Sequence, residues 1–70
     1  MRRARFEANR DFYAAVGQRI AKSRSGRLTQ EALGNKTGLT RTSIINIEKG
    51  RQQILLHTLT DIARALRLPV

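Results

Sequence analysis

The sequence predicts a small all-α domain of four or five short helices, and three observations predict it. Apolar residues recur at helical spacing, as at Phe12, Val16 and Ile20. Ser25-Gly26, Gly38 and Gly50 each follow a periodic segment, where a helix-ending glycine belongs. Alternating β-branched runs, the mark of strands, are few. Seventy residues allow one domain. A chain of this size buries only roughly 60% of its unfolded surface, so the core must be thin.

Met1–Arg10 carries Arg2, Arg3, Arg5 and Arg10 against one acid, Glu7, and is either a basic arm or an extension of the first helix. The first helix is expected over Asp11–Arg24, with Asn9 as N-cap and Asp11 in the first turn. Phe12, Val16 and Ile20 form its apolar face. The second opens at Leu28-Thr29, with Thr29 as N-cap and Glu31 near the positive helix end, and closes at Gly38. Thr40 caps a third helix, Arg41–Lys49, with Ile44 and Ile47 on one face and Gly50 beyond it. Arg51–Leu56 is a connection. The fourth helix spans about His57–Leu66, with Leu59, Ile62, Ala63 and Leu66 on one side. Pro69 disfavours helix at the residue before it. The expected organisation is residues 1–10 as arm or extension and 11–70 as one domain.

Composition excludes several function classes. Fourteen Lys and Arg face five Asp and Glu, a formal charge of +9. Such a charge repels itself and attracts polyanions, nucleic acid first and an anionic membrane surface second. Residues 1–27 hold eight of the basic and two of the acidic side chains, so the N-terminal third is the more basic part. There are no cysteines, and His57 alone cannot build a metal site, so neither metal nor cofactor is expected. No run approaches the ~20 apolar residues of a membrane span, and no apolar segment follows the basic N-terminus as a secretory signal requires. No nucleophile–base pair, carboxylate dyad or phosphate-cradling glycine loop suggests an enzyme. The expected setting is cytoplasmic.

Two helices joined by Gly38-Leu39-Thr40 make a helix-turn-helix, about residues 29–50. Gly38 permits the left-handed backbone that swings the chain, Leu39 can plug the gap between the helices, and Thr40 caps the next one. The major groove of B-DNA, about 12 Å wide, admits one α-helix. A bihelical unit can hold one helix against the backbone and push the other into that groove.

Three stretches, Leu28–Leu33, Thr37–Gly50 and Thr58–Leu66, together resemble the phage repressor (Cro/C1, or Xre) helix-turn-helix family over roughly residues 17–68. The resemblance implies a sequence-specific double-stranded-DNA-binding regulator, bacterial or phage-encoded and nucleoid-associated when bound. It further implies a repressor acting as a homodimer on an inverted-repeat operator. An antitoxin that binds a toxin protein and its own operator is the alternative. By position, Gln30 resembles the family's phosphate- and base-edge-contacting Gln. Arg41, Thr42, Ser43 and Asn46 fall on base-reading positions. Lys49 and Arg51 fall where the family approaches phosphate, and Arg24 and Glu48 resemble a structural ion pair.

Residue chemistry is compatible with these roles. With Ile44 and Ile47 inward, Arg41, Thr42, Ile45, Asn46 and Lys49 lie largely on the other side of the helix. Arg can bond guanine O6/N7 bidentately and Asn adenine N6/N7, each worth roughly 1–3 kcal/mol of discrimination. Lys49, Arg51 and the arm's arginines supply affinity without sequence choice. Ile45 either touches a thymine methyl or makes a dimer or packing contact, and Arg2, Arg3 and Arg5 either enter the minor groove or do nothing specific. The DNA-binding set is therefore Thr29, Gln30, Arg41, Thr42, Ser43, Ile45, Asn46, Lys49, Arg51, Arg2 and Arg3.

The chain departs from the family pattern at several points. Gly34 replaces a common Ala, which costs up to ~1 kcal/mol of helix propensity but allows close contact. Ile54 replaces a frequent Pro and Leu55 a common capping Ser or Thr. One residue of Ile54-Leu55-Leu56 must enter the core, and the others are expected to form an exposed patch whose natural use is a dimer interface. Many relatives begin a fifth helix where this sequence reaches Val70.

Overall fold

The computed structural model describes residues 9–68, which form four helices: α1 (Arg10–Arg24), α2 (Gln30–Thr37), α3 (Arg41–Glu48) and α4 (Leu56–Ala65). No strand occurs among the described residues. In packing, α3 lies against both α1 and α2, and α4 against α2. Met1–Ala8, with Arg2, Arg3 and Arg5, and Pro69-Val70 lie outside the described residues.

Each helix contributes to one core. Ile20 of α1, Leu33 of α2, Ile44 and Ile47 of α3 and Ile62 of α4 are buried together with Leu66, just past α4. Val16, Leu28, Leu39, Ile54, Leu59 and Leu68 pack around them. Burying such an aliphatic side chain stabilises by roughly 1.5–3 kcal/mol, and five of these six, all but Ile20, are almost wholly enclosed. Phe12 departs from the expected face: it is 63% exposed, its ring set edge-on against Tyr13 at 5.6 Å. The contact of α1 with the end of α3 reaches Ala14, beside Gly50, and Phe12 lies N-terminal to it.

Caps explain the boundaries. The Thr29 and Thr40 side chains each accept a backbone N–H, from Ala32 and Ser43, both at 3.0 Å. Asn9 stands at the N-cap position of α1 without a side-chain capping bond. Leu55, which has no side-chain acceptor, precedes α4, and that helix starts one residue earlier than expected, at Leu56. After α3, Gly50 is left-handed (φ 70°), with Gly50 N–H donating to the Ile47 carbonyl and Arg51 N–H to the Asn46 carbonyl. A Cβ at Gly50 would also lie 2.6 Å from the Ala14 Cα, so glycine is required there twice over.

Candidate nucleic-acid interface

The helix-turn-helix is α2, the turn Gly38-Leu39-Thr40 and α3. Gly38 takes the left-handed conformation (φ 74°), and Leu39 N–H donates to the Gly34 carbonyl at 2.9 Å. The absence of a side chain at Gly34 is what admits this turn, because a Cβ there would come within 2.6 Å of the Leu39 carbonyl oxygen. Leu39 is half-buried and packs against the core from within the turn.

On α3, Ile44, Ile47 and Glu48 are buried, while Arg41 and Thr42 are exposed and Ser43, Ile45 and Asn46 half-buried. Lys49 ends the helix as its C-cap, one residue earlier than the expected boundary, and is exposed, as is Arg51 beyond it. One side of α3 is thus committed to the core, and the other carries Arg41, Thr42, Ile45, Asn46 and Lys49. The Thr40 hydroxyl donates to Ser43 Oγ at 3.1 Å while accepting the Ser43 N–H, which rigidifies the first turn.

Behind this face sits a charged joint. Glu48 is only 8% exposed, yet its carboxylate is fully engaged. Arg24 Nε donates to Oε2 at 2.6 Å and Arg24 Nη2 to Oε1 at 3.1 Å. Gln30 Nε2 donates to the same Oε1 at 3.1 Å, and Arg24 Nη1 donates to the Leu28 carbonyl at 3.0 Å. A buried carboxylate is costly if unpaired, and here it is neutralised by a guanidinium. Sequence reasoning did not anticipate the part taken by Gln30. Its half-buried side chain ties the start of α2 to the end of α3, which leaves Oε1 and one Nε2 hydrogen for other partners. Nothing in the linear order of Gln30 and Glu48 signals that contact.

Thr29 is exposed at the same end of α2, its hydroxyl oxygen accepting the capping bond while its O–H can still donate. His57 is exposed at the start of α4. Among the described residues no group of His, Asp and Glu is arranged to hold a metal ion, and no helix is long and apolar enough to cross a membrane.

A helix-turn-helix family model matches residues 24–70, more than half of the chain. The chain belongs to the Cro/C1-type (Xre) helix-turn-helix family. The fold is similar to that of the restriction-modification controller protein C.AhdI from Aeromonas hydrophila, with a TM-score of 0.81 and 27% identity over 87% of this chain and 90% of that one. The sequence is 40% identical, over 58 residues and 81% of its length, to an uncharacterized transcriptional regulator in the ATPase CF(0) region of Rhodospirillum rubrum. This chain spans about half of that relative, 54% of its length. Membership of this family makes the domain a DNA-binding helix-turn-helix of the transcription-regulator type, a non-enzymatic class.

Proposed function

We propose that residues 11–70 form a sequence-specific DNA-binding unit that inserts α3 into the major groove and acts as a dimeric repressor of promoters carrying an inverted repeat. The observation that carries this reading is the division of α3, with Ile44 and Ile47 enclosed, Arg41 and Thr42 exposed and Asn46 half-buried on the other side. Arg41 and Asn46 supply base-edge bonds, Thr42 and Ser43 adaptable hydroxyls, and Ile45 an apolar contact for a thymine methyl. Lys49 and Arg51, with Thr29 and Gln30 at the start of α2, hold the phosphate backbone.

Self-association is supported by the exposed pair Leu55 and Leu56, which are 66% and 78% accessible. They flank a hollow shared with His57, Thr60, Asp61 and Arg64. Charges of both signs beside an apolar centre suit a twofold contact, in which Asp61 of one copy faces Arg64 of the other. This complementarity favours a second copy over a toxin protein as the occupant. Two recognition helices would then meet half-sites about 34 Å apart on one face of the duplex.

Selection of bound duplexes from random sequence, followed by a footprint on the best site, tests the proposal. A symmetric site protected on one face is expected. Asn46→Ala should relax preference at one base pair of each half-site, while Lys49→Ala should weaken all duplexes alike. Equal competition by random and selected duplexes would overturn the reading.

A further inference from the structure

A second cluster of positive charge lies away from α3. A cleft of about 360 Å³ opens between the α1–α2 turn, α2 and the end of α4, lined by Arg27, Leu28, Lys36, Ala65, Leu66 and Arg67. No residue of α3 lines it. An adjoining hollow shares Lys36 and Ala65 and adds Arg64 together with one acid, Asp61. Arg27, Lys36 and Arg67 are exposed, and among the described residues the one ion pair is Arg24–Glu48, so none of the three is matched by a carboxylate of a described residue.

The backbone singles out Arg67. It is the one non-glycine described residue with a positive φ, 58°. Arg67 N–H donates to the Arg64 carbonyl and Leu68 N–H to the Ala63 carbonyl, the helix-ending motif whose left-handed position favours glycine. The corresponding positions after α2 and α3 are Gly38 and Gly50. After α4 the chain holds a strained arginine instead. Helix C-termini favour nearby cations, which accounts for Lys36 and Arg64 in the last turns. It does not require an arginine in the left-handed position, which glycine fills after the two preceding helices, and the Leu66 carbonyl accepts instead from Arg27 Nη1 at 3.0 Å. That bond fixes one guanidinium at the cleft beside the residue that precedes Arg67.

We propose that this cleft is a second phosphate site, which takes a backbone phosphate of nucleic acid outside the segment read by α3. The inference rests on the DNA-binding reading above. Two arginines and a lysine line a hollow shared with Leu28, Ala65 and Leu66, a grouping whose charge and hydrogen-bond donors suit a phosphodiester. The contact adds affinity without sequence choice and lengthens the footprint.

Arg67→Gly separates this role from a structural one, because glycine accepts the native backbone while the charge is lost. The probe is a duplex extending at least one helical turn beyond the selected site on both sides, with affinity measured across about 50 to 200 mM salt. Arg67→Gly is expected to melt at a higher temperature than wild type and yet bind with a shallower salt slope, by up to about 0.9, the value of one whole phosphate contact. Lys36→Gln should lower the slope similarly, and both variants should keep the wild-type ranking of sequences. Lys22→Gln, an equal charge loss outside the cleft, should stay closer to wild type. A wild-type slope in Arg67→Gly and Lys36→Gln, as a cleft for an acidic protein would give, overturns the inference. So does an equal drop in Lys22→Gln. Wild-type protein without preference for the selected duplex would instead overturn the role of α3.

Discussion

Arg24 and Glu48 are joined at two points, Nε to Oε2 and Nη2 to Oε1, at 2.6 and 3.1 Å, across 24 residues of sequence. The pair fastens the end of α1 to the end of α3, and Gln30 brings the start of α2 to the same carboxylate. It therefore sets the orientation of the helix whose opposite side meets DNA in the proposed complex.

Breaking this joint at one side should be costly. Glu48→Gln leaves Arg24 without its counter-charge at a site where the two side chains are only 16% and 6% exposed. Removing one partner of a buried pair costs about 3–5 kcal/mol, whereas replacing both by apolar groups is often nearly neutral. Chemical denaturation should show Glu48→Gln destabilised by about 3 kcal/mol and Arg24→Met/Glu48→Leu close to wild type. If the double variant were as unstable as the single one, the network through Gln30 and Leu28 would matter more than the charge pair.

Gly17→Ala should also destabilise, against helix propensity. Alanine would gain up to about 1 kcal/mol in an unobstructed helix. At Gly17, however, a Cβ would stand 2.3 Å from the Ile47 carbonyl oxygen and 2.6 Å from that of Glu48. Those atoms are backbone, so α1 and α3 must separate, and overpacking of this kind costs typically 1–3 kcal/mol. The net effect on thermal unfolding should be a lower midpoint. A higher midpoint would mean that the two helices part freely.

Much of the architecture was legible in the sequence because the signals were local. Thr29 and Thr40 announce helix starts and Gly38 and Gly50 announce helix ends through side-chain and backbone chemistry acting within a few residues. Isoleucines three apart, Ile44 and Ile47, mark the buried side of α3. Phe12 was misplaced because periodicity shows which residues share a face and is silent on how far a neighbouring helix reaches along it. The Gln30–Glu48 bond and the grouping of Arg27, Lys36 and Arg67 depend on tertiary approach, which no spacing rule carries. One hint was available: the fourth helix runs into Leu66-Arg67-Leu68 with no glycine where the two preceding helices have one.

Thr40→Ala tests how strongly the first turn of α3 depends on its cap. The substitution removes the acceptor for Ser43 N–H and the donor to Ser43 Oγ. Loss of an N-cap of this type costs about 1 kcal/mol. Stability should fall by that amount, with faster amide exchange confined to the start of α3. Uniform exchange throughout the domain would mean that the turn opens only with global unfolding.

Leu55→Ser sets stability against self-association. Leu55 has φ −67° and ψ 148°, close to the backbone of the two threonine caps, but it has no side-chain oxygen to offer α4. Serine supplies one, and a good cap is worth about 1 kcal/mol. Because Leu55 is 66% exposed, little packing is lost within one copy, so the isolated domain should unfold at a higher temperature. In the proposed dimer the same change removes an apolar anchor from both halves of a twofold contact. Burial of one leucine is worth about 1.5–3 kcal/mol, and each 1.4 kcal/mol is about a factor of ten. Sedimentation should therefore show the dimer weakened roughly tenfold or more, while Leu55→Met leaves it near wild type. A serine variant that is more stable and associates as before would place the twofold contact elsewhere on the molecule.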